Sequence, residues 1–394
     1  MYYFQQMTKP KLHEDWIDPH AKKIVQTLQA AGFEAYLVGG CVRDLLAGIH
    51  PKDYDIATSA HPEDIRKKIS GSHIIGRRFR LVLVRRATQQ YEVATFRRSM
   101  NATDLAPDED GAITGDNYFG TSKEDAQRRD FTINALFYDP GKHQLIDFVD
   151  GLADIEKCTI RMIGEPLARF VEDPIRILRA VRLSHKLNFM LEPSLRQAAL
   201  DSAPELQKSI LPRRREEWIK IMRLDEPFRA FMELFDLGAL KETLPSLHDL
   251  FLDSEALGNF RLILSRIPNS GFNYAETGDV FSALMFAVAF AKSGGNIQSH
   301  SADFESNYLS FMKDELGMFK TEIAQFTHSI ELMESTQNYE GFLKRGRRRQ
   351  EGFLKNESLP TALKFGLLDQ SLNSVALHFW IHQFNQSKHQ QPSE

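Results

Sequence analysis

Hydrophobic and polar positions divide the chain near residue 150. Before it, helical and alternating patterns take turns. Apolar residues recur at helical spacing from Ile17 to Ala31, the run Glu34 to Val38 reads as a strand, and Tyr54 to Thr58 reads as another. His61-Pro62-Glu63-Asp64 opens a helix, with proline and acids in its first turn. Arg80 to Arg86 and Gln90 to Arg97 are β-rich runs joined by a short polar link, which predicts a hairpin and, with the earlier strands, a small mixed sheet. From Asp150 onward strand signals nearly vanish and apolar residues keep helical spacing to the end. The expected fold is therefore α+β: a mixed-sheet head over 1–150, a helical neck over 151–250 and a helical body over 251–394. Ser293-Gly294-Gly295-Asn296 and the polar stretch to Asn307 predict a loop within the body. There are no internal repeats and no low-complexity tract.

The longest apolar run, Val280 to Ala291, is broken by Ser282 and falls short of the ~20 residues that cross a bilayer, so it predicts a buried helix and no membrane association. The start, Met1-Tyr2-Tyr3-Phe4-Gln5-Gln6, has neither a basic region nor an apolar core, and no secretory signal is expected. With Cys41 and Cys158 as the two cysteines, a disulfide framework or structural zinc site is excluded and a cytoplasmic setting is expected.

Chemistry concentrates first between residues 39 and 55. Gly39-Gly40-Cys41-Val42-Arg43-Asp44 follows a strand and leads into a helix, a turn where backbone can approach a phosphate. Pro51-Lys52-Asp53-Tyr54-Asp55 follows. On a strand, Asp53 and Asp55 share one face and Tyr54 takes the other; two carboxylates side by side repel unless a cation lies between them, and hard oxygen ligands suit Mg²⁺. Glu92, opposite in phase to Tyr91 and Val93, is the candidate third acid. A lone Asp-x-Asp pair is more often a solvated strand face, and it is the glycine turn upstream that gives this pair its weight.

Two later stretches, Arg128-Arg129-Asp130-Phe131-Thr132-Ile133-Asn134-Ala135-Leu136 and Glu172-Asp173-Pro174-Ile175-Arg176-Ile177-Leu178-Arg179-Ala180-Val181-Arg182, complete an ordered set. With the first motif, they make the chain resemble the class II nucleotidyltransferases, the family of bacterial poly(A) polymerases and CCA-adding enzymes, over residues 34 to 245. Ile74-Ile75-Gly76-Arg77-Arg78-Phe79-Arg80 through Val84 is similar to a segment of the poly(A) polymerase branch, as is the stretch from Lys344 to Leu368.

The resemblance implies a polymerase-beta-like nucleotidyltransferase head with an all-α neck and body. It implies addition of AMP from ATP to RNA 3′ ends without a template, with release of pyrophosphate. Asp53 and Asp55 would hold two Mg²⁺ ions, or Mn²⁺, and Gly39, Gly40 and Arg43 would meet the triphosphate, while Asp44 reads equally as a local ion pair. Asp130 and Asn134 would contact ribose and phosphates, placed at i and i+4 of a helix, with Phe131 and Ile133 in the core. Asp173 and Arg176, three apart on a helix, would read the base edge, and Arg179 and Arg182 on the same face would hold phosphates. RNA 3′ ends and ATP are the expected partners, with RNA-decay proteins also implied; the oligomeric state is left open.

Two features temper this. Net charge is −4, with 49 basic against 53 acidic residues, so RNA binding must rest on local clusters. These lie at 77–86, 97–98, 213–215 and 345–349, with Arg213, Arg214, Arg345, Arg347 and Arg348 as candidates. Related polymerases often carry long basic extensions, and the ending Gln390-Gln391-Pro392-Ser393-Glu394 leads us to expect weaker, more salt-sensitive RNA binding. Gly115 also stands before Asp116-Asn117 where related polymerases usually carry an arginine, which leaves strict base choice open. The alternative activities are CCA addition to tRNA and, against the intact acids, an RNA-binding protein without catalysis.

Overall fold

The computed structural model describes residues 11–76, 80–99, 119–295, 297 and 304–389. The chain forms two compact units, one of residues 1–172 and 187–198, the other of residues 173–186 and 199–394.

The first unit is built on a seven-stranded mixed sheet. Its strands are β1 (Ala35–Val38), β2 (Asp55–Thr58), β3 (Ser72–Ile75), β4 (Leu81–Arg86), β5 (Gln89–Thr95), β6 (Leu136–Asp139) and β7 (Gln144–Asp147), in the order β3-β4-β5-β2-β1-β6-β7. All neighbours are antiparallel except β2 and β5, which run parallel and set Asp55 opposite Glu92. The hairpin of β4 and β5 and the strands β1 and β2 lie where the pattern predicts. The strands β3, β6 and β7 do not stand out in it; β6 is buried at every position and shows no alternation, and β3 and β7 are only four residues long.

Helices α1 (Pro19–Ala30), α2 (Gly40–Leu46), α3 (Pro62–Lys68), α4 (Ser122–Gln127), α5 (Gly151–Glu156) and α6 (Pro166–Glu172) complete this unit. Asp18 caps α1 by accepting from the His20 and Ala21 amides at 2.7 and 3.0 Å, and Ala21, Ile24, Val25 and Leu28 turn one stripe inward. Thr121 and Glu124 form a reciprocal capping box on α4. Val38, Ala57, Phe96, Ala126, Ala135 and Phe137 make one core cluster. After residue 150 this unit also holds the two-residue pairing of Thr159–Ile160 with Met190–Leu191 and the first part of the Pro193–Ser202 helix.

The second unit is helical. It holds most of α7 (Arg176–Leu187), the end of α8 (Pro193–Ser202), then α9 (Leu211–Met222) and a succession of later helices. The Thr277–Lys292 helix is buried at every position from Val280 to Ala291, so the apolar run is a core helix, and no helix among the described residues is long and apolar enough to cross a membrane. The predicted loop after Ser293 ends earlier than expected, since a helix resumes at Phe304.

One buried clasp ties α9 to later helices. Arg215 donates to both oxygens of Glu322 at 3.0 and 2.7 Å and to the Gly317 carbonyl at 3.0 Å, between the rings of Phe281 and Phe319 at 4.4 and 4.3 Å. Glu322 also accepts from the Phe319 amide at 2.8 Å. With both side chains about nine-tenths buried, losing one partner strands a charge. Arg215→Ala is expected to destabilise this unit by about 3–5 kcal/mol, whereas Arg215→Met combined with Glu322→Leu recovers most of that loss. Urea unfolding followed by the fluorescence of the buried Trp218 and Trp380 measures both.

Candidate active site

In the first unit, the acids gather at the start of β2. Tyr54 is buried while Asp53 and Asp55 are exposed, the expected alternation, although the strand itself begins at Asp55. Tyr54 donates its hydroxyl to the Trp16 carbonyl, which anchors the acid-bearing loop from behind. The parallel register places Glu92, also exposed, beside Asp55. Asp55 keeps solvent access, yet surrounding protein displaces enough water to push its carboxyl up to about 6, and the negative charges of Glu92 and Asp53 add to that against the pull of Arg129 and Arg43. A carboxyl whose folded-state value is raised binds its proton more tightly when folded. Stability is therefore lost as pH rises through the ordinary carboxylate range toward 6.

This excess of negative charge is what a bound cation would relieve, and the oxygen-only donor set fits a hard divalent ion. Glu92 is a neighbour that acts on Asp55 by charge. Among the described residues no three His, Cys, Asp or Glu side chains come together as a ready ligand set. Two carboxylates suffice for an ion that keeps waters and takes substrate phosphates as further ligands.

Beside the acids lies a connected polar chain. Gly39 is the residue before α2, at φ 69° and ψ −126°, and its amide donates to the Leu136 carbonyl at 3.2 Å. A Cβ there would meet the Arg129 guanidinium at 3.0 Å. Arg43, one turn into α2, is buried: it donates to Asp44 at 2.9 and 2.6 Å and to the Asn134 side-chain oxygen at 2.5 Å. The Asn134 amide donates in turn to Asp130 at 3.0 Å. Asp44 is thus in the local ion pair that was one of its two readings. Asp130 and Asn134 do not meet on an α-helix as expected. Phe131 is extended and a single 3₁₀ turn covers Thr132–Asn134, so the short turn and this hydrogen bond bring them together. Phe131 and Ile133 are fully buried, as expected.

Two participants escaped the sequence reading. Asp125, buried on α4, binds Arg128 at 2.9 and 2.5 Å and Arg129 at 3.2 and 2.9 Å. Although burial alone would raise its carboxyl, the charges of Arg129 and Arg128 hold it below the usual range. Arg129 is so directed toward the Asn134 carbonyl, 3.3 Å away, and acts on Asp55. The i, i+4 spacing of Asp125 and Arg129 was the available signal.

In the second unit, α7 begins at Arg176, later than the expected start at Glu172, because Pro174 interrupts the helix. Asp173 therefore stands just ahead of α7. Arg213, at the start of α9, holds it through two parallel bonds of 2.8 Å. Arg176 is buried. Arg182 binds Glu217 at 2.6 Å and Arg179 approaches it at 3.9 Å. Burial works to raise the Glu217 carboxyl, but Arg182, Lys220 and Arg179 together hold it low. Arg214 is half-buried, its Nε without a hydrogen-bond partner. Arg345 lies over the Phe353 ring at 4.9 Å, Arg347 pairs with Glu351 at 2.9 Å, and Arg347 and Arg348 are exposed on a short helix, Arg347–Leu354. The segments with Arg77, Arg78 and Phe79, and with Gly115, Asp116 and Asn117, lie outside the described residues.

The chain matches two family models, "Poly A polymerase head domain" over residues 35–161 and "Probable RNA and SrmB- binding site of polymerase A" over residues 188–251. It is 35% identical to poly(A) polymerase I of Haemophilus influenzae, covering 72% of this chain and 66% of that protein, and 36% identical to poly(A) polymerase I of Salmonella typhi, covering 70% and 60%. It is 40% identical to a CCA-adding enzyme of Lactobacillus helveticus, covering 57% and 55%. The chain thus spans about two thirds or less of the length of these relatives. In fold it is similar to a tRNA nucleotidyltransferase solved with primer tRNA and an ATP analogue, at TM-score 0.62 and 21% identity, covering 93% of this chain and 99% of that one. The Bacillus stearothermophilus CCA-adding enzyme in complex with CTP matches at TM-score 0.56 and 24% identity, covering 95% and 99%.

Neighbouring glycines give a contrast that tests the geometry. Gly39→Ala forces a side chain into a left-handed backbone and against Arg129, and is expected to cost about 1–3 kcal/mol. Gly40→Ala meets the Arg43 side chain at 3.6 Å, an ordinary van der Waals distance, and should leave the thermal midpoint nearly unchanged. Thermal unfolding of the two variants beside the parent measures the difference.

Proposed function

The chain belongs to the class II nucleotidyltransferases, the family of bacterial poly(A) polymerases and CCA-adding enzymes, and from that premise we propose that it adds AMP from ATP to RNA 3′ ends without a template, releasing pyrophosphate. The observation that carries this reading is the parallel register that sets Asp55 beside Glu92, with Asp53 two residues before it and the Asp55 carboxyl pushed up to about 6.

In this reading Asp53 and Asp55 hold two Mg²⁺ ions, with Mn²⁺ the alternative. Held there by Asp53 and Asp55, such ions would supply Lewis-acid chemistry, lowering the pKa of the attacking hydroxyl and offsetting charge on the departing pyrophosphate. The protein's own groups prepare the rest. Arg43 and Asp130 grip the two ends of the Asn134 amide, so its orientation is set before ATP arrives. Arg43 and Arg129 bring positive charge near the acids, which favours a bound triphosphate. Gly39 and Gly40 supply backbone at the same turn. Asp173 accepts and Arg176 donates hydrogen bonds to the base edge. The RNA 3′ hydroxyl then attacks the α-phosphate in line, and no covalent enzyme intermediate is required.

Residues 1–150 serve in this reading as catalytic head, 151–250 as the base-reading neck and 251–394 as an RNA-holding body in which Arg345, Arg347 and Arg348 contact phosphates. Arg213 and Arg214 are less suited to that task, since Arg213 is engaged with Asp173 and Arg214 is half-buried. The setting is cytoplasmic, and RNA-decay proteins are the expected macromolecular company.

CCA addition is the second reading, supported by relatives at 39 to 40% identity that align over 208–228 residues. Adenylation is preferred because the poly(A) polymerase relatives align over 279–299. Products resolved at single-nucleotide length decide: a long ladder with ATP alone on oligo(A) and on tRNA lacking its CCA end marks a poly(A) polymerase. A stop after three additions to the tRNA, requiring CTP and ATP, marks a CCA-adding enzyme. Asp53→Ala and Asp55→Ala are each expected to lower incorporation at least roughly a thousandfold, the loss of several kcal/mol of charge stabilisation. Unchanged incorporation in both would sink the mechanism.

A further inference from the structure

We propose that Arg213 is a specificity-determining positioning residue: its fork fixes the Asp173 carboxylate in the one orientation that accepts from the chosen base. This rests on the reading of Asp173 and Arg176 as the base-reading pair. Asp173 stands ahead of α7, so its backbone lies outside the helical hydrogen-bond ladder and its side chain has no helical neighbours on its own element to pack it. The backbone supplies only the turn in which the Arg176 amide donates to the Asp173 carbonyl at 3.2 Å. Orientation must come from elsewhere, and Arg213 provides it with Nη1 on Oδ1 and Nη2 on Oδ2, both at 2.8 Å.

The form of this contact matters more than its strength. A planar guanidinium bonded to both oxygens defines the plane of the carboxylate, which an ammonium acting as a point charge does not. Each carboxylate oxygen has lone-pair capacity beyond the bond it accepts from Arg213, so Asp173 retains acceptor sites in a fixed direction. The pair is also open enough for a nucleotide to approach, with 20% of the Asp173 side chain and 50% of the Arg213 side chain exposed.

A second rung on α9 sets the helix beneath. Glu217 lies four residues after Arg213, on the same face, and binds Arg182 at 2.6 Å with Arg179 at 3.9 Å. Asp173 and Arg182 are thus held by two positions one turn apart on α9. This fixes the rotation of α7 and with it the direction of Arg176, which lies between them in sequence. Arg179 and Arg182, expected to hold phosphates, are part of this frame. An Arg213 without its partner would be a solvated charge of little consequence, whereas an Asp173 without Arg213 would turn freely and accept from several bases.

The experiment compares the parent, Arg213→Lys and Arg213→Ala for single additions to oligo(A) with each of ATP, GTP, CTP and UTP, measuring kcat and KM separately. The expected result is a fall of roughly tenfold in the preference for ATP over the best competing nucleotide in both variants, the scale of one lost bidentate discrimination. It should appear mainly as a raised KM for ATP. The lysine variant keeps the charge and loses the plane, so it shows the same loss of preference and the same raised KM for ATP as the alanine variant. If either variant lowers all four nucleotides by the same factor, or keeps the parent's preference, the proposal is overturned. A parent that adds no nucleotide at all overturns instead the reading on which it rests.

Discussion

Like charges crowded at one end of two paired strands are the constraint on which the first unit is organised. The parallel register of β2 and β5 leaves Asp55 beside Glu92, with Asp53 two residues away, and loss of water around Asp55, together with these charges, raises its carboxyl to about 6. Around it the structure places arginines that are already committed. Arg43 is fastened to Asp44 and Asn134, and Arg129 to Asp125 and the Asn134 carbonyl. Their charges reach the acids while their hydrogen bonds are spent on the scaffold. The acids remain incompletely neutralised, as the proposed binding of cations and a polyphosphate requires. A fully paired cluster would be more stable and chemically idle.

The second unit uses the same economy differently. Arg215, Arg182 and Arg213 look alike in sequence, as members of basic stretches, yet each answers a particular carboxylate. Arg215 answers Glu322 between two rings, Arg182 answers Glu217, and Arg213 answers Asp173. Arg347 and Arg348 are more open, exposed on the Arg347–Leu354 helix. Where an arginine is buried with its partner, salt screens it little; at the exposed helix screening is strong.

The division into mixed-sheet head and helical remainder was legible because periodicity changes along the chain. So were the glycine turn at Gly39 and the alternation of Asp53 and Asp55 about Tyr54, whereas Asp130 and Asp173 lie off the helices expected for them. What could not be read was which polar groups find each other across sequence distance. Arg43 meets Asn134, and Arg213 meets Asp173, and neither contact has a local pattern. The strand β6, buried at all four positions, lacks the alternation that reveals a strand. The motif of Asp130 and Asn134 has helical spacing but folds as a short turn, since Phe131 is drawn into the core in an extended conformation and pairs with Met162.

The parallel pairing of β2 with β5 carries a consequence for how the chain acquires its structure. These strands are neighbours in space, but α3, β3 and β4 lie between them in the chain, so their union closes a long loop. The hairpin of β4 and β5 needs only local contacts, and such contacts form ahead of distant ones. Asp55 and Glu92 are then brought together late, when the surrounding framework can already bear their repulsion.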